Sequence, residues 1–239
     1  MQLRGLEMTY DFIVIGAGIS GASVAYELSE LGSVALLDAE SIAGYHSTGR
    51  SAALFTPNFG SPEVCEINKA SKTFFLNPPE GFCDNPLLKP RGALTIATTD
   101  DRSGLEKLLA LSSHSSPIYE VSKQEALELA PIIRPEKITG AVYEPQVMDI
   151  DVASHHQGYL RGFKQRGGVL MLNHRISHLD QQTDVWVVGV GNHTYKARKV
   201  VNAAGAWADH IGLMADAELI GLVPKRRTAI LVKTPDTTN

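Results

Sequence analysis

Cysteine is nearly absent from this chain of 239 residues: Cys65 and Cys83 are the two. They make neither a disulfide framework nor a metal-ligand cluster, and such usage fits a reducing compartment. Long apolar runs are also lacking. No stretch approaches the roughly 20 residues of a spanning helix, so no integral membrane segment is expected. Positive charge is neither in excess nor concentrated, since 22 Lys and Arg against 26 Asp and Glu give a net charge of −4. Nucleic acid and anionic membrane surfaces are therefore not expected as partners. A secretory leader is imitated only by Phe12 to Ala25. Glu7 and Asp11 ahead of it, and the glycines inside it, speak for a strand and a helix instead. What remains is the composition of a soluble globular protein, long enough for one large core or two small ones, with Met1 to Glu7 as a flexible extension.

The stretch Tyr10 to Asp38 organises the rest. Phe12, Ile13, Val14 and Ile15 form a short apolar run typical of a strand buried on both faces. Gly16, Gly18 and Gly21 follow as G-x-G-x-x-G, giving a tight turn, a close approach for a pyrophosphate, and close packing of the helix that starts at Ile19 and Ser20. The N–H groups and dipole of that helix start face an anion. Ala22, Ala25, Tyr26, Leu28 and Leu31 recur at helical spacing, and Val34 to Leu37 make a second strand. Asp38 ends it at the distance from the glycines where a carboxylate meets an adenosine ribose. Strand, turn, helix, strand and acid in register make a dinucleotide site. The motif alone does not separate NAD from FAD.

Further on, His46, Ser47, Thr48, Gly49, Arg50 and Ser51 gather hydroxyls, a glycine and a guanidinium just before Ala52 and Ala53. Such a loop presents donors to phosphate or to polar ring edges and lets a flat ring lie close. Ser61 and Pro62 open an amphipathic helix with Val64, Ile67, Ala70, Phe74 and Phe75 along one face, stopped by Pro78 and Pro79. Strands are predicted around Leu94 and Ile96 and at Ala141 to Tyr143. One helix is expected from Asp100 to about Ser112, and another after Ser122, which forms a capping box with Glu125. Asp151 precedes a helix to about Arg166, ended by Gly167 and Gly168. His155 and His156 are adjacent, so they cannot share a helix face as metal ligands would, and no metal site is expected. Short strands are predicted at Val169–Leu172, Arg175–Leu179, Val185–Val190, His193–Tyr195 and Lys199–Asn202, then a small-residue turn from Ala203 into a helix. Past Gly221 the chain reads as a further strand.

GAGISGA, LLDAE, GYHSTGRSAA, NPPEGFCDNPLL, HQGYLRG and VNAAGAWAD with PKRR resemble the flavoprotein family of D-amino acid oxidases and dehydrogenases, which includes glycine oxidase and sarcosine oxidase. Within it they are most similar to the branch of bacterial D-arginine dehydrogenases. The resemblance implies an α/β fold. A Rossmann-type FAD-binding domain (residues 8–86 and 148–217) would carry an inserted α+β substrate domain (87–147 and 218–239). It implies FAD contacts at Gly16, Gly18, Ile19, Ser20, Gly21, Asp38 and Ala39, and along His46, Ser47, Thr48, Gly49, Arg50, Ser51, Ala52 and Ala53. Further contacts would come from the backbone of the segment His174, Arg175 and Ile176, Ile176 above all, at the adenine end, and from Ala203, Ala204, Gly205 and Trp207. Plain core is the other reading of Trp207. The family more often has Glu at the position of Asp38.

The implied chemistry is hydride transfer from the α-carbon of an amino acid to flavin N5. The imino acid formed would hydrolyse to a keto acid and ammonia, with oxygen or a quinone as the final acceptor. No catalytic base is named. Arg227 is the one expected substrate or flavin contact, the other reading of Lys225, Arg226 and Arg227 being a solvated charge run. Phe59 stands where related loops often carry a Tyr over the substrate, and Leu54 and Ala93 bring no charge, so recognition of a cationic side chain is not expected and the substrate preference is read as apolar or undetermined. Family members continue well past the position of Asn239. The chain is therefore expected to lack the C-terminal third, with an incomplete substrate domain, and a catalytically silent FAD- or ADP-binding protein is the second expectation. The expected location is cytoplasmic, free or peripheral to the inner membrane.

Overall fold

A computed structural model of the chain describes residues 9–98 and 102–226, together with 228, 230 and 233. Along the chain come β1 (Thr9–Ile15), α1 (Ile19–Leu28), β2 (Val34–Leu37), β3 (Leu54–Phe55), α2 (Pro62–Leu76), β4 (Leu88–Pro90), β5 (Ala93–Ala97), α3 (Arg102–Leu109), β6 (Tyr119–Val121) and α4 (Lys123–Leu129). Then follow β7 (Gly140–Glu144), β8 (Met148–Ile150), α5 (Val152–Gln165), β9 (Val169–Met171), β10 (His178–Gln182), β11 (Val185–Val190), β12 (His193–Asn202) and α6 (Ala208–Met214). The described residues divide into two compact units.

The first unit holds the described residues up to Ser51, Gly81–Asp84 and the chain from Val152 to Thr228. Its six-stranded sheet has the order β10-β11-β12-β1-β2-β9. β1 pairs in parallel with both β12 and β2, and β2 in parallel with β9. Side chains alternate across the sheet. Ile13, Ile15, Ala35 and Leu37 join Ile176, Leu179, Val188 and Ile211 in one core cluster. Val14, Val34 and Leu36 join Ala22, Ala25, Leu160 and Phe163, from α1 and α5, in the other. The parallel strands need both faces covered, and their unbroken apolar runs supply both.

The second unit comprises Ala52–Glu80, Asn85–Asp151 and the described residues after Thr228. It contains two three-stranded sheets, β3-β8-β4 and β5-β7-β6. Leu105 on α3 packs with Ala97, Ile118 and Val142 in its core cluster. The division places residues 52–80 here because β3 pairs with β8, which also pairs with β4. It leaves residues 218–226 with the first unit, where the N–H groups of Ile220, Gly221 and Leu222 donate to the Asp209 carboxylate.

Four local expectations are corrected. Arg175–Ser177 is not strand: the N–H groups of Asn173 and His174 donate to the Glu40 and Asp38 carbonyls, so this segment follows the end of β2 and the strand begins at His178. His193–Asn202 is one strand rather than two, because β12 pairs with β11 from His193 to Ala197 and with β1 from Lys196 to Asn202, the two pairings overlapping. α2 forms, but the face read as core is not buried; Ile67 is 63% exposed and Cys65 is the buried residue. Residues 222–226 form no strand; the carboxylate of Asp209 has taken the backbone donors of the approach to them.

Candidate functional site

In the first unit the glycine turn, the end of β2, the loop after it, the segment after β9 and the turn after β12 surround one cavity of about 270 Å³. Gly16 leaves β1 with φ +101, and a Cβ there would lie 2.5 Å from the Ala203 carbonyl oxygen. Only glycine lets the two turns meet this closely. α1 has Gly18 at its N-cap, with no side-chain cap and no acid in its first turn. The Ile19 N–H donates to Thr48 Oγ1 at 3.0 Å. The N–H groups of Gly18, Ser20 and Gly21 have no hydrogen-bond partner among the described residues. A helix end left in this state is stabilised by an anion.

Asp38 reaches back under the turn. Its Oδ2 accepts the Ala17 N–H at 2.6 Å and its Oδ1 accepts the Glu40 N–H at 2.9 Å. Each carboxylate oxygen keeps a further lone pair for a ribose hydroxyl. Glu40 Oε1 lies 3.1 Å from His46 Nε2 and 3.7 Å from an Arg175 guanidinium nitrogen. The His46 ring lies 4.6 Å from that of Trp207, tilted by 52°. Trp207 is 47% exposed, which removes the reading of it as plain core. His174 Nε2 meets the Tyr195 hydroxyl at 3.0 Å, holding the segment that carries Ile176.

Of the residues expected from sequence, Gly16, Gly18, Ile19, Ser20, Asp38, Ala39, His46, Ser47, Thr48, Ile176, Ala203, Ala204, Gly205 and Trp207 line the cavity. Gly21 is buried in α1 beneath the turn. Gly49, Arg50 and Ser51 do not line it: Gly49 donates to the Gly44 carbonyl, Ser51 to that of Thr48, and the Arg50 guanidinium lies over the Tyr45 ring. Ala52 and Ala53 belong to the second unit, where the Ala53 carbonyl accepts the Ile150 N–H. Arg227 lies outside the described residues. His174 and Arg175, expected with Ile176 from the family resemblance, line the cavity too, whereas Glu40, Gly44, Tyr45 and His210 also line it and were not singled out from sequence. Glu40 carried a signal, an acid two positions past Asp38, just beyond a nucleotide-binding strand.

Behind the turn, His156 is buried and its Nε2 lies 2.9 Å from the Ala17 carbonyl oxygen. Burial lowers its pKa, against the opposing pull of that bond and of Asp38. Burial, and then the charge of His156, push His155 down to about 4. Burial likewise raises the Tyr159 hydroxyl to about 12. Among the described residues no group of three or more His, Cys, Asp or Glu could hold a metal ion, and no helix is long and apolar enough to cross a membrane.

The chain can be set beside known proteins on this geometry. Residues 11–239 match the model of the DAO family, described as FAD dependent oxidoreductase. The chain is 28% identical over 220 residues to the aerobic glycerol-3-phosphate dehydrogenase of Staphylococcus aureus (strain MRSA252), covering 84% of this chain and 39% of that protein. It is 28% identical over 208 residues to the mitochondrial dimethylglycine dehydrogenase of Rattus norvegicus, covering 84% of this chain and 24% of that protein. In fold it resembles the FAD-bound L-alpha-glycerophosphate oxidase from Mycoplasma pneumoniae, with TM-score 0.77 and 22% identity over 88% of this chain and 58% of that one. Glycine oxidase from Geobacillus kaustophilus gives TM-score 0.77 and 21% identity over 87% and 58%. The chain thus spans well under two thirds of the relatives it matches. The uncapped helix end, the carboxylate beneath the glycine turn and the small-residue turn at Ala203 are the parts an ADP group requires, and the chain belongs to the DAO family of FAD-dependent oxidoreductases.

Proposed function

We propose that the protein holds the ADP half of FAD in this cavity and oxidises the CH–NH bond of an amino acid. The observation that carries the reading is the start of α1, whose free N–H groups lie beside a carboxylate-clamped turn. When bound, FAD supplies a hydride acceptor at flavin N5; the amine becomes an imine, which water hydrolyses to a keto acid and ammonia. Among the protein's own residues, Gly18, Ser20 and Gly21 offer N–H groups to the pyrophosphate and Asp38 offers lone pairs to the ribose. Ile176, Ala39, Ala203, Ala204, Gly205 and the ring pair of His46 and Trp207 give the cofactor its walls. Gly49 to Ala53 and Arg227 are kept as contacts of the same cofactor or its substrate on the strength of the family resemblance.

The substrate class rests on two kinds of support. The sequence blocks GYHSTGRSAA and HQGYLRG resemble D-amino acid dehydrogenases, the D-arginine branch above all, and two relatives are named for glycine and dimethylglycine. Two others are named for glycerol phosphates, which makes a CH–OH substrate the competing class. Phe59 and Leu54, exposed in the second unit, and Ala93 bring no charge, which favours an apolar amino acid. Oxygen or a quinone takes the electrons, and the proposed location is cytoplasmic, free or peripheral to the inner membrane.

The second reading is a catalytically silent FAD- or ADP-binding protein. It is favoured by a cavity of about 270 Å³, below the roughly 300–1,000 Å³ of sites that enclose a whole ligand. Dye reduction by the flavin-loaded protein, tested with D- and L-amino acids and with glycerol 3-phosphate, separates the readings. Turnover of a D-amino acid is expected. Turnover of glycerol 3-phosphate alone would move the substrate class, and no turnover of any would leave the silent binder.

A further inference from the structure

We infer that His156, which lies outside the cavity lining, is a positioning residue that aims the Gly18 N–H at the cofactor's pyrophosphate. The inference rests on the FAD reading above and adds to it a residue from α5.

A carbonyl oxygen can only accept, so the 2.9 Å contact between His156 Nε2 and the Ala17 oxygen makes Nε2 the protonated nitrogen. In a trans peptide the C=O of residue 17 and the N–H of residue 18 point in opposite directions, and there is no cis peptide bond among the described residues. Holding the Ala17 oxygen from behind therefore turns the Gly18 N–H forward, into the cavity that Gly18 lines. The preceding peptide is held as well, because the Ala17 N–H donates to Asp38 Oδ2. Two successive peptides of the glycine turn are thus fixed by side chains from different elements.

The same imidazole supports the second loop. Gly44, with φ +75, packs on the ring so closely that a Cβ would lie 2.9 Å from Cε1, and the Gly44 carbonyl accepts the Gly49 N–H at 2.7 Å. Burial lowers the pKa of His156, which favours the imidazole form with one N–H and one lone pair.

The test compares ligands that do and do not carry the pyrophosphate. His156→Leu removes the donor, and His156→Gln restores an N–H at about the reach of Nε2. FAD, ADP and adenosine are titrated against each protein. His156→Leu is expected to weaken FAD and ADP about tenfold, the scale of one lost hydrogen bond to a charged group, to leave adenosine within about twofold, and to be largely reversed by His156→Gln. Equal losses for ADP and adenosine, or a Gln variant no better than Leu, would overturn the inference and leave His156 a packing residue. Imidazole 15N NMR of the unaltered protein tests it without a substitution: protonated Nε2 is expected, and protonated Nδ1 with bare Nε2 would refute it. An unaltered chain that binds neither FAD nor ADP defeats the FAD reading as well, whereas binding that the substitutions leave unchanged defeats only the role of His156.

Discussion

Asp38 shows how a single side chain serves two purposes here. Its carboxylate ties β2 to the glycine turn through the Ala17 N–H while it faces the cavity. The spacing from Gly16 made it legible as a ribose ligand; the backbone clamp was not legible, because it depends on which way the Ala17 peptide turns. Gly16 was legible for its turn but not for its neighbour Ala203, far along the chain. Gly16→Ala is expected to cost on the order of 2 kcal/mol through the positive φ alone, and more through the clash with the Ala203 carbonyl. Loss of FAD retention on desalting, with a lowered melting temperature, checks it. His155 was read as surface or satisfied core, and its ring lies 4.9 Å from that of Tyr159. Its folded pKa of about 4 lies below the ordinary imidazole value of 6.5, so the unfolded chain takes the proton first. The stability it contributes is full above about pH 6.5 and falls as the pH drops toward 4. Denaturant titrations across that window should show a shallower decline for His155→Phe than for the unaltered protein. An identical decline would count against the buried neutral imidazole.

Helix ends carried the clearest signals among the elements. Ser122 and Glu125 form the reciprocal capping box expected of them, with Ser122 Oγ accepting the Glu125 N–H and Glu125 Oε2 accepting the Ser122 N–H. Ser122→Ala is expected to lower stability by about 1 kcal/mol, read as a shift in the urea midpoint with unchanged slope and unchanged FAD affinity. α1 is the opposite case, an N-terminus without a side-chain cap, and the sequence marked it through glycines where a capping residue would otherwise stand. Apolar periodicity was a poorer guide to burial than to helicity. It predicted α2 correctly as a helix, yet Val64 and Ile67 on the face assigned to the core are exposed. Strand boundaries failed where pairing is decided at a distance. β12 is continuous because β1 and β11 both pair with it, and polar Lys196 and Arg198 give no local sign of that.

Across the whole molecule, the parallel strands β1 and β2 of the mixed sheet and their two covered faces were legible because strands buried on both sides have unbroken apolar runs. The division of residues 52–80 was not, because a two-residue strand, β3, decides it through its pairing with β8. The cavity was legible nearly residue by residue along the glycine turn and the Ala203 turn. It was less so on the rim, where Glu40, Tyr45 and His210 are ordinary surface residues until the fold brings them together. The central claim is that this cavity binds FAD. It is tested most directly by the flavin content and thermal shift of the purified 239-residue protein. The expected result is a flavin absorbance spectrum close to one FAD per chain. With FAD removed and then supplied at a hundred times its dissociation constant, the gain should be about 2.7 kcal/mol of stability, with none from NADH. A folded, colourless protein that FAD does not stabilise would contradict the account.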